Sequence, residues 1–302
     1  DDKVNFVLSP WSTGFIYAAA PIANKYHYIL VGGSGGALEL SKVMPQLPYY
    51  FQVLNYSNTQ LPALAAIYKE LGLKTVAIAY QENQNGVEYN QEAQKVFPAN
   101  GLDIVMDKSY VPDSKDLTPL LQAAKASKAD AFVGFSYPND CITLTKEAMA
   151  NNINFKAFFL EVFPYSPVYR DMFGARAVEG VMGGGAWSLK SPGGAEFAAL
   201  YQKYYHKGPE DYWGQLYYYA SLQDLQKAIE DAGTLDQSKI RDLLATKTYD
   251  TIIGPFHYDK DRRFTGFFGQ IGQWQHGTWE VVDPGPYRTA PPEIKPPWPE
   301  GK

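Results

Sequence analysis

Two short segments near the start of the chain combine residue types that bind anions. The apolar run 4–8 is followed by the polar segment 9–14 (SPWSTG), and the apolar run 28–31 by the glycine-rich segment 32–36 (GGSGG). If the two runs are neighbouring strands of a parallel sheet, both segments lie at its carboxyl edge, where α/β proteins bind ligands. Hydroxyl groups and the backbone N–H groups of glycines can donate hydrogen bonds to a carboxylate. The two segments therefore predict a site for an anionic ligand.

The candidate anion-binding residues of these segments are polar-tipped side chains and glycines. They are Trp11, Ser12, Thr13, Ser34, Gly35 and Gly36. Thr13 begins a helical pattern, and a helix N-terminus attracts negative charge. Consecutive N–H groups in the glycine-rich segment would form an anion-binding nest. In the alternative interpretation, Thr13 only caps the helix and the glycines only form a tight turn. Because two such loops follow adjacent strands, we favour the interpretation that they bind an anionic ligand.

Residues with catalytic or metal-binding chemistry form no recognisable set in the sequence. Ser12 and Ser34 have no histidine in a readable relation, as a hydrolase would require. A dinucleotide fingerprint that starts at Gly33 needs a third glycine where Leu38 stands. The histidines at 27, 206, 257 and 276 do not share metal-ligand spacing with one another or with a carboxylate cluster. We therefore predict a protein that is not an enzyme and uses no metal or cofactor.

The composition is that of an ordinary globular protein. The 302 residues, 45% of them hydrophobic, can form one large or two medium domains. A net charge of −5, with charged residues dispersed singly, argues against a nucleic-acid partner. No apolar run reaches the roughly 18 residues that predict a membrane-spanning helix, and we expect a mature chain without a signal peptide. The single cysteine, Cys141, is expected to be a small buried side chain.

Regular alternation of strands and helices predicts an α/β fold with parallel sheets and right-handed crossovers. We predict strands at 4–8, 28–31, 50–54, 76–80, 103–108, 131–135 and 157–160. Helical patterns separate them at 13–25, 38–44, 61–71, 87–97, 117–124 and 139–151. After Gly185, helices dominate 193–246, and short extended segments follow at 252–254, 267–274 and 279–282. The proline-rich tail is expected to be extended and to lie on the surface.

Several segments, taken in order along nearly the whole chain, carry a resemblance to a known family. They are 2–14, 18–23, 76–80 with 85–86, 175–181, 254–259 and 273–277. No single segment is diagnostic, but their order and spacing are specific. The sequence resembles the type I periplasmic binding proteins, and among them the branched-chain amino-acid (leucine/isoleucine/valine) substrate-binding proteins of ABC transporters.

The resemblance implies two Rossmann-like lobes with parallel sheets, joined by a three-segment hinge near residues 54, 186 and 262. Lobe 1 would contain 1–54 and 187–262, lobe 2 would contain 55–186 and 263–282, and the proline-rich tail would follow at 283–302. A ligand would bind in the cleft, and the lobes would close over it by hinge motion. The implied function is that of an extracytoplasmic receptor of an ABC importer, periplasmic or tethered at the cell surface. Its partners would be a small molecule and a membrane permease.

The resemblance also assigns roles to particular residues. The ligand carboxylate would be held by Thr13, with Ser12 as the alternative, and by the segment 34–36. In lobe 2, two ligand-facing positions correspond to Asn85, where the family usually has an aromatic residue, and to Tyr137. The remaining candidates of lobe 2 are Phe135, Glu161 and Phe163. In the alternative interpretation, Phe135 is a core residue and Tyr137 only lies at the rim.

The surroundings of Glu161 determine whether an amino acid or an amine-free acid is the expected ligand. In the resembling family a carboxylate after the strand at 157–160 holds the ammonium group of amino-acid ligands, and Glu161 falls near that position. If Glu161 is instead a solvated loop glutamate, an amine-free aromatic or aliphatic acid is the better ligand, because a buried unpaired ammonium is costly. We favour the amino acid, which is the commoner ligand in the family. A ligand-sensing domain of a receptor or regulator is a further alternative.

In one respect the sequence departs from the family. Family members begin with two further βα units before the segment that matches residues 2–14 here. The strand at 4–8 would then be an exposed edge, and exposed edge strands pair with other chains. We expect this edge to be covered by a second copy, by another chain or by further N-terminal residues, so self-association is one expected consequence.

Overall fold

The structure, a computed structural model, describes residues 4–266 and 269–299, which form two compact units. Among the described residues, unit 1 contains 4–56, 190–208 and 214–266. Unit 2 contains 57–189, 209–213 and 269–299. Each unit is therefore built from three separate stretches of the chain. The short stretch 209–213, which belongs to unit 2, has no counterpart in the predicted lobes.

Strands and helices alternate along the first part of the chain, which confirms the predicted α/β fold class. The strands of the described residues are β1 (Val7–Leu8), β2 (Leu30–Gly33), β3 (Tyr50–Gln52), β4 (Thr75–Gln81), β5 (Asp103–Tyr110), β6 (Ala131–Phe135), β7 (Ala157–Leu160), β8 (Val181–Gly184), β9 (Tyr249–Thr251), β10 (Gly254–Phe256), β11 (Ile271–Gln275) and β12 (Thr278–Val281). The helices are α1 (Thr13–Lys25), α2 (Leu38–Val43), α3 (Ser57–Glu70), α4 (Gln84–Ala99), α5 (Thr118–Ala126), α6 (Pro138–Ala150), α7 (Pro167–Phe173), α8 (Ala175–Val178), α9 (Gly194–Tyr205), α10 (Gln215–Ala232) and α11 (Gln237–Thr246). None of these helices is long and apolar enough to cross a membrane.

Unit 1 is built on a small parallel sheet with the strand order β1-β2-β3. Its core is formed by apolar side chains from the sheet and from the helices that connect its strands. They include Ile16, Leu30, Leu40, Met44 and Tyr50. Strand β1 lies at the edge of this sheet, as predicted, and Leu8 on it is 55% exposed. A separate antiparallel hairpin pairs β9 with β10.

Unit 2 contains a sheet of seven strands in the order β12-β11-β8-β7-β6-β4-β5. The strands from β8 to β5 are parallel, whereas β11 and β12 are antiparallel to their neighbours. The apolar residues of β4, β6 and β7 are buried because helices cover both faces of a parallel sheet. This arrangement places the ends of β6 and β7, and the loops that follow them, side by side at the carboxyl edge.

Several predicted boundaries are confirmed, and others shift. Helix α1 and strands β6 and β7 have the predicted limits. Strand β1 has only two residues, and β2 extends to Gly33, beyond its predicted end. The segment 252–254, predicted to be extended, contains the turn that joins β9 to β10. Part of the predicted strand 267–274 lies outside the described residues, and β11 begins at Ile271.

The described part of the C-terminal tail differs from the prediction. It forms no helix or strand, but it is packed against unit 2 and is not simply surface-lying. The side chain of Trp298 is buried, and its indole N–H donates to the Ile153 carbonyl at 2.7 Å. The Gln273 amide donates to the Glu293 carbonyl at 2.7 Å. The tail is therefore part of the folded unit. The buried Trp298 side chain holds one end of it, and the hydrogen bond from the Gln273 side chain holds its middle.

Candidate functional site

The loops after β1 and β2 meet in unit 1. Trp11 and Ser34 form an isolated parallel bridge that continues the pairing of the two strands. The Ala37 N–H donates to the Thr13 hydroxyl at 3.3 Å. A Cβ atom at Gly35 would lie 2.7 Å from the Leu40 Cδ2 and 3.3 Å from the Thr13 Cα, so a side chain there would require its neighbours to shift. We call the six predicted residues of these loops, Trp11, Ser12, Thr13, Ser34, Gly35 and Gly36, the strand-end group.

The strand-end group presents hydrogen-bond donors. Thr13 is the first residue of α1, and the first backbone hydrogen bond of the helix runs from the Ile16 N–H to the Ser12 carbonyl. The N–H groups that precede Ile16 are therefore not used inside the helix, and a helix N-terminus favours an anion. The Ser34 hydroxyl is buried and has no hydrogen-bond partner among the described residues. A buried hydroxyl without a partner is costly, and a ligand oxygen would satisfy it.

The backbone around the group is strained at Ser12. Its φ of 89° and ψ of 136° lie in a region that is essentially restricted to glycine. Backbone strain of this kind persists only where the surrounding structure enforces it, and it concentrates at functional sites. The loop that follows β1 is thus held in a costly conformation at the position next to Thr13.

The glycine-rich segment does not form the predicted nest. Of the glycines in 32–36, only Gly32 has a positive φ, so no left-handed residue occurs between Ser34 and Gly36. The Gln52 side chain amide instead fixes the segment by donating to the Gly35 carbonyl at 3.0 Å and to the Leu54 carbonyl at 2.7 Å. Sequence reasoning missed Gln52, although a glutamine inside the apolar strand β3 was a usable signal.

In unit 2, Glu161 and Asn85 form a hydrogen-bonded pair. Glu161 directly follows β7, and Asn85 lies in the first turn of α4. The Asn85 amide donates to both carboxyl oxygens of Glu161, at 2.9 and 3.0 Å. Glu161 is only 1% exposed. The interpretation of Glu161 as a solvated loop glutamate is therefore wrong, because its carboxyl group is buried and its hydrogen bonds come from a protein amide.

The environment of Glu161 disfavours its charge. Burial raises the pKa of Glu161 to about 8, although the hydrogen bond from Asn85 and the neighbouring Tyr89 act in the opposite direction. Among the described residues, no lysine, arginine or histidine forms an ion pair with Glu161. The carboxyl group is therefore mostly protonated at neutral pH, and a cation placed beside it would lower its pKa again.

The three aromatic candidates of unit 2 differ in their surroundings. Phe135 is the last residue of β6, is fully buried in the hydrophobic core, and packs against the Tyr89 ring with centroids 5.4 Å apart. The prediction that the Phe135 ring faces the ligand is therefore wrong, and the interpretation of Phe135 as a core residue is confirmed. Tyr137 caps α6 and is partly exposed, and its N–H donates to the Gln81 side chain at 3.1 Å.

Phe163 is a second strained residue in a candidate loop. It lies in the loop after β7, is partly exposed, and has a φ of 86°, which is unusual for a bulky side chain. Its ring packs edge-on against Tyr169, with centroids 5.7 Å apart. Ser12 in unit 1 and Phe163 in unit 2 are thus both non-glycine residues with a strained backbone in a loop that follows a strand.

Comparison with known proteins identifies the fold. Residues 1–277 match the family described as periplasmic binding protein. A leucine-binding protein from Thermotoga maritima has a TM-score of 0.78 at 20% sequence identity, over 93% of this chain and 79% of that chain. A solute-binding protein of an ABC transporter from R. palustris, solved in complex with benzoate, has a TM-score of 0.78 at 15% identity, over 93% and 78% of the two chains.

Two further proteins complete the comparison. An ABC-transporter substrate-binding protein from Desulfitobacterium hafniense, solved in complex with Leu, has a TM-score of 0.75 at 16% identity, over 93% of this chain and 81% of that chain. An uncharacterized protein of Methanocaldococcus jannaschii is 24% identical over 122 residues, which are 39% of this chain and 29% of that protein. This chain thus spans less than a third of that relative. At these identities the solved structures show the shared fold alone.

Proposed function

We propose that this chain, which belongs to the periplasmic binding protein family, is the solute-binding receptor of an ABC importer and binds a small carboxylate ligand. It acts outside the cytoplasm, and its protein partner is the membrane permease of the importer. The observation that carries the ligand chemistry is the meeting of the two strand-end loops in unit 1. The fold similarity to solved transport receptors supports the receptor function.

The strand-end group supplies the donors for the ligand carboxylate. Within the part of the chain that the structure describes, the Ser34 hydroxyl has no hydrogen-bond partner, and the N-terminus of α1 adds backbone N–H groups and a favourable dipole. Thr13 accepts a hydrogen bond from the Ala37 N–H, which holds its hydroxyl group at the start of α1, beside the segment 34–36. Hydrogen bonds to a charged group contribute about 1.5–3 kcal/mol each.

The favoured ligand is an amino acid. Glu161 is buried and forms no ion pair with a described residue, and the ammonium group of an amino acid would provide the missing positive charge. Binding would then be accompanied by release of the Glu161 proton, because a neighbouring cation favours the ionised carboxylate. The expectation that the strand-end group and Glu161 contact one ligand rests on the family resemblance alone.

A second candidate is an amine-free aromatic or aliphatic acid. The raised pKa of Glu161, about 8, favours this alternative because a protonated carboxyl group does not attract an ammonium group at neutral pH. A protonated Glu161 could instead donate a hydrogen bond to a ligand oxygen. One of the structurally similar solute-binding proteins was solved with benzoate.

A matched set of ligands tests the proposal. Leucine, 4-methylpentanoate and leucinamide share one side chain, but the second lacks the amine and the third lacks the carboxylate. Phenylalanine, 3-phenylpropanoate and phenylalaninamide form the aromatic set. A bound ligand raises the melting temperature by mass action. We expect the amino acids to bind, the amine-free acids to bind more weakly and the amides not to bind. Tighter binding of the amine-free acids would establish the second candidate, and binding of the amides would contradict the carboxylate site.

A further inference from the structure

Three residues with metal-ligating side chains converge on the surface of unit 2. Glu179 follows α8, His276 lies in the turn between β11 and β12, and Glu293 belongs to the C-terminal tail. They come from three separate parts of the chain, so their spacing in the sequence does not indicate a metal site. None of them belongs to the strand-end group or to the pair of Glu161 and Asn85.

The distances between their donor atoms suit one shared ion. The His276 Nδ1 lies 3.7 Å from Glu179 Oε1, and the His276 Nε2 lies 3.7 Å from Glu293 Oε1. One ligand atom of each residue lies within 4.8 Å of those of the other two. A tetrahedral zinc ion with bonds of about 2.0–2.2 Å needs ligand atoms about 3.3–3.6 Å apart. Because the His276 side chain is 81% exposed, it can rotate to place one nitrogen between the two carboxylates.

The backbone already holds the three residues in place. The His276 N–H donates to both carboxyl oxygens of Glu179, at 3.0 and 3.1 Å. The Glu293 N–H donates to the Gln273 side chain at 2.9 Å, which fixes the tail beside β11. The side chains therefore need to move only slightly to bind an ion, while their Cα positions remain fixed by independent hydrogen bonds.

We propose that Glu179, His276 and Glu293 bind a divalent transition-metal ion of the zinc type, which fastens the C-terminal tail to the β11–β12 hairpin. One imidazole nitrogen with two carboxylate oxygens suits zinc, whereas calcium and magnesium prefer oxygen ligands throughout. Water completes the coordination, since the site is open to solvent. The ion also neutralises the two carboxylates, which repel each other when the imidazole is uncharged.

Zinc titration of the full chain by calorimetry tests the site. We expect one zinc ion per chain at about pH 7.5. His276→Asn should weaken binding by about tenfold or more, a loss typical of altered metal sites. His206→Asn is the matched control, because both histidines are exposed and have left-handed backbones, with φ of 51° and 57°. Asparagine tolerates that conformation.

The melting temperatures of the unaltered chain, of His276→Asn and of Glu293→Gln, each measured with and without zinc, provide a second test. An increase on addition of zinc at about pH 7.5 that is lost in both His276→Asn and Glu293→Gln supports the metal site. Equal zinc binding by His276→Asn and the unaltered chain, or no response to zinc, overturns it.

Discussion

At the scale of single residues, Ser34 is a position where a substitution should affect ligand binding without destabilising the ligand-free protein. Its hydroxyl is buried with no hydrogen-bond partner in residues 4–266 and 269–299, so it contributes little to the ligand-free fold and can be removed without breaking a hydrogen bond there. Thr13 differs, because its hydroxyl accepts a hydrogen bond from the Ala37 N–H and its loss would alter the loop as well as the site. Ser34 is therefore the better position at which to test the carboxylate site.

We predict that Ser34→Ala weakens binding of the cognate carboxylate by about 1.5–3 kcal/mol, because a hydrogen bond to a charged group is lost. The ligand-free protein should melt at the same or a slightly higher temperature, since an unsatisfied buried hydroxyl is removed. Calorimetry and thermal unfolding measure the two effects. Ser57→Ala is the control, because Ser57, on α3 of unit 2, also has a buried hydroxyl with no partner among the residues that the structure describes. Unchanged affinity in Ser34→Ala would contradict the assignment.

We predict that Glu161→Gln weakens binding of leucine or phenylalanine and leaves binding of the matching amine-free acids nearly unchanged. Glutamine has the size of glutamate, so the variant removes the charge that would pair with an ammonium group. Calorimetry in two buffers of different ionisation enthalpy should show proton release on amino-acid binding by the unaltered protein and none by the variant. Equal losses for both ligand classes would indicate that Glu161 is only a structural partner of Asn85.

At the scale of elements, β1 is an incompletely paired strand. It lies at the edge of the sheet of unit 1, pairs with β2 on one side, and has exposed side chains at both of its residues. Exposed apolar side chains occur nearby at Val4, Phe15 and Ile22. An edge strand with an apolar surface offers unpaired backbone groups to another chain.

We predict that this chain self-associates through the β1 edge, and that Leu8→Lys reduces the association because a charged side chain on an edge strand opposes pairing. Light scattering at several protein concentrations measures the change. Leu235→Lys is the matched control, because Leu235 is 54% exposed and Leu8 is 55% exposed. A monodisperse monomer of the unaltered chain with a single cooperative melting transition would show that the edge is harmless.

At the scale of the whole molecule, two buried acids make stability depend on pH. Burial raises the pKa of Asp224, on α10 of unit 1, to about 8, and neither of its carboxyl oxygens has a hydrogen-bond partner among the described residues. Burial raises the pKa of Glu161 in unit 2 to about 8 as well. In the unfolded chain both groups titrate near pH 4, at about 3.9 for Asp and 4.3 for Glu.

We predict that the ligand-free protein loses stability as the pH rises from about 4 to about 8. Each folded carboxyl group keeps its proton over this range while the unfolded one releases it, so each contributes a loss of up to about 1.4 kcal/mol per pH unit. Asp224→Asn should remove one part of the decline and leave ligand affinity unchanged, whereas Glu161→Gln should change both. Urea unfolding at several pH values provides the measurement. A pH profile of Asp224→Asn that parallels that of the unaltered protein would refute the role of Asp224.

The sequence by itself determined the elements and the loops at their ends. Helix α1 and strands β6 and β7 have the predicted limits, because the periodicity of apolar residues and the helix signals are local properties of the chain. The order of these elements also sufficed to predict a parallel α/β fold. The meeting of Trp11 with Ser34 follows from the same logic, since the loops after two adjacent parallel strands must lie side by side.

Only the tertiary structure decided which side chains are partners. Asn85 and Glu161 are 76 residues apart in sequence, and their hydrogen bonds depend on how α4 packs beside the end of β7. The burial of Trp298 and the convergence of Glu179, His276 and Glu293 likewise have no local signal. For Phe135 the sequence left two interpretations open, and the structure decided for the core. Contacts between distant residues are set by the strand order and the packing of helices on the sheet, and a pattern within one segment carries no information about either.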